Sequence, residues 1–88
     1  MSFRVPAHVH HRAVHDEVVI MDARADAYVG LNSSAAVIWN VLSSGGSVDA
    51  AVDAVLTRFE VTPEAARTDV ADLVADLVAR GVLEQGAG

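Results

Sequence analysis

Cysteine is absent from this 88-residue sequence, and so is lysine. Without cysteine the chain cannot form a disulfide, bind a metal through thiolates or use a thiol nucleophile. Its six basic residues are all arginines spread along the chain, and the formal net charge is −6. Nucleic-acid binding normally requires a basic face that neutralises phosphates, so we expect no nucleic-acid partner.

The sequence also lacks the hydrophobic segments that direct a chain into or across a membrane. No window approaches the roughly eighteen apolar residues of a transmembrane helix. Residues 1–17 contain no apolar segment after their charged residues, unlike a signal peptide. These features predict a cytoplasmic protein with no membrane partner, and the length predicts one domain with a modest core.

The first third of the sequence predicts extended structure. Residues 3–5 and 8–10 alternate in polarity with Pro6 between them, which is typical of an edge strand. Residues 17–22 (EVVIMD) are rich in β-branched side chains and predict a stronger strand. The ARAD segment that follows is a predicted hairpin connection in which Asp26 adopts a positive φ, and AYVGLN forms the returning strand.

The remaining two thirds predict three helices. The first runs over about 34–42, after the N-cap candidates Asn32 and Ser33. The SSGG segment at 43–46 ends this helix, with glycine adopting the left-handed conformation. Ser47 begins the second helix, and both the first and the second helix carry an apolar stripe.

The third helix has the clearest boundaries in the sequence. Thr62 is its predicted N-cap, Pro63 occupies the first helical position and Gly81 closes it. Arg80 lies four residues after Asp76, the last residue of an acidic stripe on this helix. The predicted buried stripe consists of Val70, Leu73, Val74 and Leu77. The acidic stripe consists of Asp69, Asp72 and Asp76.

This order of elements predicts an α+β fold, a three-stranded antiparallel sheet followed by three helices, with winged-helix-like proportions. In a DNA-binding winged helix the third helix would approach the phosphates. Its acidic stripe makes that function a poor fit to this sequence.

Four histidines near the start of the chain raise the alternative of a small histidine-based metal-binding protein. On a strand, His8 and His10 would share a face, and imidazole suits zinc, copper or nickel. His11 and His15 complete the set. No carboxylate has a recognisable ligand spacing to them, so solvated histidines on an edge strand are the favoured interpretation.

The two aromatic residues near the middle of the chain have different expected positions. Trp39 lies on the apolar stripe of the first helix and is predicted to be part of the core. Alternation places Tyr28 and Gly30 on one face of the third strand and residues 27, 29 and 31 on the other. If the latter face packs on the helices, Tyr28 points outward.

The segment DARADAYVGLNSSAAVIW, residues 22–39, resembles the signature of PqqD-like proteins, the peptide-recognition domains of ribosomally made, post-translationally modified natural products. The resemblance covers about residues 5–84 and implies a single PqqD-like domain over 1–88. Tyr28-x-Gly-Leu-Asn and the Ile38–Trp39 pair make the chain most similar to the stand-alone recognition proteins of lasso-peptide clusters. One departure is Asp26, where relatives commonly have a hairpin glycine.

The resemblance implies a non-enzymatic protein with no cofactor, which binds the leader segment of a precursor peptide and delivers it to a separate cysteine-type leader peptidase. The leader would add as a strand beside the third strand, and its apolar side chains would enter the groove next to the third helix. A peptide chaperone of pyrroloquinoline quinone or other modified-peptide biosynthesis is the alternative within the family.

The sequence is compatible with strand addition at this position. Residues 27–31 contain no proline and no charge, so nothing in them blocks an open sheet edge. On the third helix, the apolar residues would line the groove, the aspartates would engage leader amides or cations, and Arg80 would pair with a leader carboxylate. The candidate leader-binding residues are Ala27, Tyr28, Val29, Gly30, Leu31, Asp69, Val70, Asp72, Leu73, Asp76, Leu77 and Arg80.

Overall fold

A computed structural model describes residues 2–86, which contain five strands and three helices. The strands are β1 (Phe3–Arg4), β2 (Val9–Val14), β3 (Glu17–Asp22), β4 (Ala27–Leu31) and β5 (Glu84–Gln85). The helices are α1 (Ser33–Ser43), α2 (Val48–Arg58) and α3 (Pro63–Ala79). The predicted α+β architecture is confirmed, with three antiparallel strands in the order β2-β3-β4 followed by three helices.

A second, two-stranded sheet joins the two ends of the described chain. Phe3 pairs with Gln85 and Arg4 with Glu84, and the Arg4 guanidinium lies 2.9 Å from the Glu84 carboxylate. The sequence had suggested an edge strand over the whole region around Pro6. Instead, β1 ends before the proline and pairs with β5, and the strand that pairs with β3 begins only at Val9.

The β3–β4 hairpin depends on one buried carboxylate. Asp22 is only 7% exposed, and its Oδ1 accepts hydrogen bonds from the backbone N–H groups of Arg24 at 2.9 Å and Ala25 at 3.1 Å. Asp26 has a φ of 52°, as its position in the sequence predicted. Aspartate tolerates this left-handed conformation better than most residues, although glycine has no steric penalty there.

All three helices begin at the predicted caps. The side chains of Asn32, Ser47 and Thr62 each accept a hydrogen bond from the backbone N–H three residues later, at 3.0–3.1 Å. Such caps satisfy N–H groups that lack a partner within the helix. After α1 and α3, Gly45 and Gly81 have φ values of 91° and 76°, which end the helices in the left-handed conformation.

Helix α1 is the central element of the core. It contacts β1, β3, β4 and α2, and α2 in turn packs on α3. Trp39 and Leu42 are fully buried on its inner side, so the predicted core position of Trp39 is confirmed. The core also includes Val82 and Leu83, which follow α3 and precede β5. No helix within residues 2–86 is long and apolar enough to cross a membrane.

The left-handed turn residue gives a stability prediction. Replacing Asp26 with glycine removes the steric cost of a positive φ at an exposed position, and we expect the free energy of unfolding to rise by about 0.5–1 kcal/mol. Ala25→Gly is the matched control, because Ala25 lies in the same turn without a positive φ. That control is expected to lower stability, since it adds only unfolded-state entropy. Thermal denaturation followed by circular dichroism measures both, and equal shifts would contradict the conformational explanation.

Candidate functional site

One edge of the main sheet is open beside the helices. Strand β4 pairs with β3 on one side, and no strand within residues 2–86 pairs with its other side. The edge is formed by AYVGL, which contains no charged side chain and no proline. Edges of this kind are usually blocked by charge, proline or a covering element, because their unpaired backbone groups accept another strand.

The register identifies which backbone groups point out of this edge. Along an antiparallel strand, consecutive residues direct their N–H and C=O groups to opposite sides. The backbone N–H of Ala23 donates to the carbonyl oxygen of His8 at 2.9 Å, which extends the β2–β3 ladder past the end of β3. Odd-numbered residues of β3 therefore bond to β2, and even-numbered residues such as Ile20 bond to β4.

The same alternation carries over to β4. Ile20 pairs with Val29, so Val29 directs its backbone groups toward β3. Its neighbours Tyr28 and Gly30 must then direct their N–H and C=O groups toward the open side. Two donors and two acceptors are thus available to an incoming strand at this edge.

The side chains of β4 divide between the two faces of the sheet. Leu31 is buried and Val29 packs partly against the core, whereas Tyr28 is 70% exposed on the opposite face. The inner face of β4 therefore serves the core, and Tyr28 points outward as alternation predicted. Ala27, at the start of the strand, is exposed.

A groove of about 450 Å³ lies between the start of α1 and α3. Its apolar lining comes from Ala35 and Ile38 on α1, Val55 on α2 and Leu73 on α3. Asn32, the cap residue that directly follows β4, also lines it, so the groove adjoins the end of the open strand. A strand added to β4 would lie beside this groove.

The other wall of the groove is acidic. The exposed carboxylates of Asp69, Asp72 and Asp76 line it together with Leu73. The sequence placed these three residues on one helix face, and the structure shows that this face borders the groove. Arg80 donates from Nε to Asp76 Oδ2 at 2.9 Å, and both side chains are about half exposed.

The structure distributes the predicted apolar stripe of α3 between core and groove. Val70 and Leu77 are fully buried, whereas Leu73 is only half-buried and reaches the groove surface. Ala35 and the buried Ile38 of α1 also line the groove, although the sequence had not indicated either as a leader-binding residue. Their spacing of three residues on the helix, directly after the open strand, was the available signal.

A second hollow of about 630 Å³ lies between the β3–β4 hairpin and the end of α3. It is bordered by Arg24 and Ala25 of the hairpin and by Val78 and Arg80 at the end of α3. The hairpin before β4 thus lies near the end of α3, and the cap residue after β4 lies near its middle. The two depressions therefore border α3 at the two ends of the open strand.

Known proteins resemble this chain in sequence and in fold. The sequence profile described as "Coenzyme PQQ synthesis protein D (PqqD)" matches residues 17–83, which include β3, β4 and all three helices. The chain belongs to the PqqD family. No curated protein matches the sequence at a significant level.

Two solved structures are similar to this PqqD-family chain over nearly its whole length. One is described as "TbiB1 in Complex with the TbiA(beta) Leader Peptide", with 26% identity, a TM-score of 0.87, and 97% of this chain and 99% of that chain covered. The other is described as "Lasso peptide synthetase B1 complexed with the leader peptide", with 27% identity, a TM-score of 0.87, and coverage of 97% and 100%.

The histidines of this PqqD-family chain are dispersed in the structure. His8 precedes β2 and lies 3.7 Å from the buried Asp22 carboxylate, whereas His11 contacts the Trp39 ring edge-on with centroids 5.2 Å apart. His10 follows on the outer face of β2, and His15 occupies the β2–β3 turn with a φ of 58°. Within residues 2–86, no group of three or more histidine, aspartate or glutamate side chains could hold a metal ion.

This dispersion predicts the outcome of a metal titration. We expect zinc to bind the intact chain no more tightly than it binds a His10→Ala variant, because His10 lies on the outer face of β2, whereas His8 approaches Asp22 and His11 contacts Trp39, so these imidazoles do not converge on one ion. Isothermal titration calorimetry with zinc chloride measures both affinities. A 1:1 complex that the substitution weakens more than about tenfold would support the metal-binding alternative.

Proposed function

We propose that this chain is a single, non-enzymatic recognition domain that binds the leader segment of a ribosomally made precursor peptide. It acts in the cytoplasm and delivers the bound leader to a separate cysteine-type leader peptidase of lasso-peptide biosynthesis. The observation that carries the proposal is the open edge of β4 beside the groove of α3, in a member of the PqqD family. The two similar structures, both described as complexes with a leader peptide, support it.

Backbone pairing accounts for the affinity of such a site. A leader strand beside β4 can exchange hydrogen bonds with the N–H and C=O groups of Tyr28 and Gly30, which the register directs outward. Each such bond contributes about 0.5–1.5 kcal/mol net. Backbone bonds do not depend on the side chains of the peptide, so they supply affinity without sequence specificity.

Side chains in the groove account for part of the specificity. Because side chains alternate along a strand, every second residue of the leader would point toward the inner side, where Leu73 and Ile38 form an apolar floor. Val29 on β4 would lie next to such an inward-pointing leader side chain. Val70 and Leu77 would contribute indirectly, because both are fully buried and hold α3 against the core.

The acidic wall favours a leader that carries donors or cations. Asp69 and Asp72 have no ion-pair partner among residues 2–86, and both line the groove. Arg80 is already paired with Asp76, but an exposed pair of this kind contributes at most about 1 kcal/mol. A leader carboxylate next to α3 can therefore compete for Arg80 at little cost.

The polar residues of the groove fit binding rather than catalysis. Ser34 donates its hydroxyl hydrogen bond to Asn32 Oδ1 at 3.1 Å, and Asn32 in turn caps α1. Both side chains thus serve the helix start. A nucleophilic serine requires a general base within hydrogen-bond reach instead.

The family description supports a second candidate, a peptide chaperone of pyrroloquinoline quinone biosynthesis. The two proposals share the binding edge and differ in the precursor and the enzyme served. A gene neighbour that encodes a radical enzyme would favour the quinone pathway, and a cyclase similar to asparagine synthetase would favour the lasso pathway.

A direct binding measurement tests the proposal. The probe is a fluorescently labelled leader peptide, synthesised from the precursor encoded beside this chain, and fluorescence anisotropy follows its titration. We expect saturable binding that a scrambled peptide of the same composition does not show. Failure of the folded protein to bind the intact leader would contradict the proposed function.

A pair of proline substitutions tests the position of the bound strand. Gly30→Pro removes an outward N–H from the β4 edge, and nothing lies within 4 Å of a Cβ at this position. We expect leader affinity to fall by about 1–2 kcal/mol, roughly five- to thirtyfold, because one backbone bond is lost and the ring obstructs the edge.

Ala13→Pro is the matched control for this substitution. Ala13 pairs with Val18, an even-numbered residue of β3, so its N–H points out of the opposite edge of the same sheet. We expect this variant to bind the leader as the unmodified chain does. Circular dichroism of both variants confirms that they are folded, and an equal loss of affinity in both would contradict the assignment of β4 as the binding edge.

A further inference from the structure

The outer face of the main sheet, which points away from the helices, carries an unusual share of exposed apolar side chains. Within residues 2–86, the large hydrophobic residues with high exposure are Val14, Val19, Tyr28, Val61 and Val78. The first three of these lie on the outer face. Neither the core nor the groove beside α3 uses this face.

The register arranges the outer face in rows that run across the three strands. One row contains His10, Met21 and Tyr28, which are direct cross-strand partners. The next row contains Arg12, Val19 and Gly30. Each row therefore ends at the open edge of β4, one with a large aromatic side chain and the other with glycine.

A shallow hollow of about 360 Å³ lies between these rows. Val19, Met21 and Tyr28 supply its apolar lining, and His10 and Arg12 form its polar rim. Beside it, nothing lies within 4 Å of a Cβ placed on Gly30. The glycine thus leaves the hollow open toward the side from which an added strand would approach.

An added strand would necessarily present side chains to this hollow. Residues directly opposite each other in neighbouring strands have their side chains on the same face. The peptide residues opposite Tyr28 and Gly30 would therefore point to the outer face, while their neighbours would point to the groove and Leu73. Both faces of the sheet are extended by the same bound strand.

We propose that the hollow lined by Val19, Met21 and Tyr28, with the open space over Gly30 beside it, is a second specificity site, which accepts a large apolar or aromatic leader side chain that points away from the groove. This inference rests on the proposed leader binding at β4 and adds a recognition surface to it. A bulky peptide side chain opposite Gly30 would occupy the space that the glycine leaves open and would pack beside the Tyr28 ring. Aromatic side chains stabilise glycine positions in neighbouring strands in this way.

The exposure of Tyr28 supports this occupant. The residue is 70% exposed, and no hydrogen bond or ring contact involves its side chain among the described residues, so the fold gains little from it. Tyrosine contributes a large contact area for few rotatable bonds, which makes it a frequent anchor in interfaces. The polar rim of His10 and Arg12 matches the usual arrangement of an apolar centre surrounded by polar groups.

Two substitutions on the protein test the inference with the labelled leader peptide. Tyr28→Ala removes the aromatic wall, and Gly30→Val occupies the open space beside the hollow while it keeps the edge N–H and suits a strand. We expect each to weaken leader binding about tenfold. Val14→Ala is the matched control: it lies on the same face but pairs with Glu17 at the far end of β2. It should leave the affinity unchanged.

A scan of the leader identifies the side chain involved. Single alanine replacements along the peptide are combined with Tyr28→Ala and, separately, with Leu73→Ala in double-mutant cycles. We expect the leader residue coupled to Tyr28 and the one coupled to Leu73 to be an odd number of positions apart, because they point to opposite faces. A purely structural effect of either substitution would not produce this alternation.

The outcomes separate this inference from the proposed function. If Leu73→Ala weakens binding while folded Tyr28→Ala and Gly30→Val variants bind within about twofold of the unmodified chain, the outer-face site is overturned and leader binding stands. Coupling of both residues to leader positions of the same parity would overturn it as well. Absence of leader binding by the unmodified, folded chain would overturn both proposals.

Discussion

The contact between α1 and the inner face of the sheet determines the rest of this structure. With no cysteine available, the chain depends on packing, and Trp39 with Leu42 forms the centre of a core that includes Val18 and Ile20 of β3. Removal of a large buried side chain of this kind typically costs about 3–5 kcal/mol. Because α1 follows β4 after a single cap residue, Asn32, this packing also fixes the position and orientation of the open strand.

The same packing divides α3 between two roles. Val70 and Leu77 are committed to the core, Leu73 lies at its border, and the aspartates form the outer flank. A rigid helix with a half-buried leucine is a suitable wall for a peptide site, since its geometry does not need to be created when the peptide binds. The edge of β4 likewise has its conformation before any strand is added, because its inward-pointing side chains pack on the core and its backbone groups are already aligned for pairing.

Local chemistry made much of the fold predictable from sequence. Cap residues such as Thr62, the glycines that end helices and the positive φ of Asp26 each depend on a few neighbouring residues. The β1–β5 pairing was not predictable in the same way, since its partners are about 80 residues apart and each strand has only two residues. The groove required tertiary information too: periodicity places Leu73 on the stripe of Val70, and only the packing of α2 on α3 decides which of them reaches the surface.

The pairing of β1 with β5 brings the entry and the exit of the fold together. Glu84 and Arg24 border the same depression as Arg4, so this corner lies next to the hairpin from which β4 starts. A peptide linked ahead of β1 or behind β5 would begin its path near this corner. Its effective concentration at the β4 edge would then depend on the length and stiffness of the linker, and hardly on which terminus carried it.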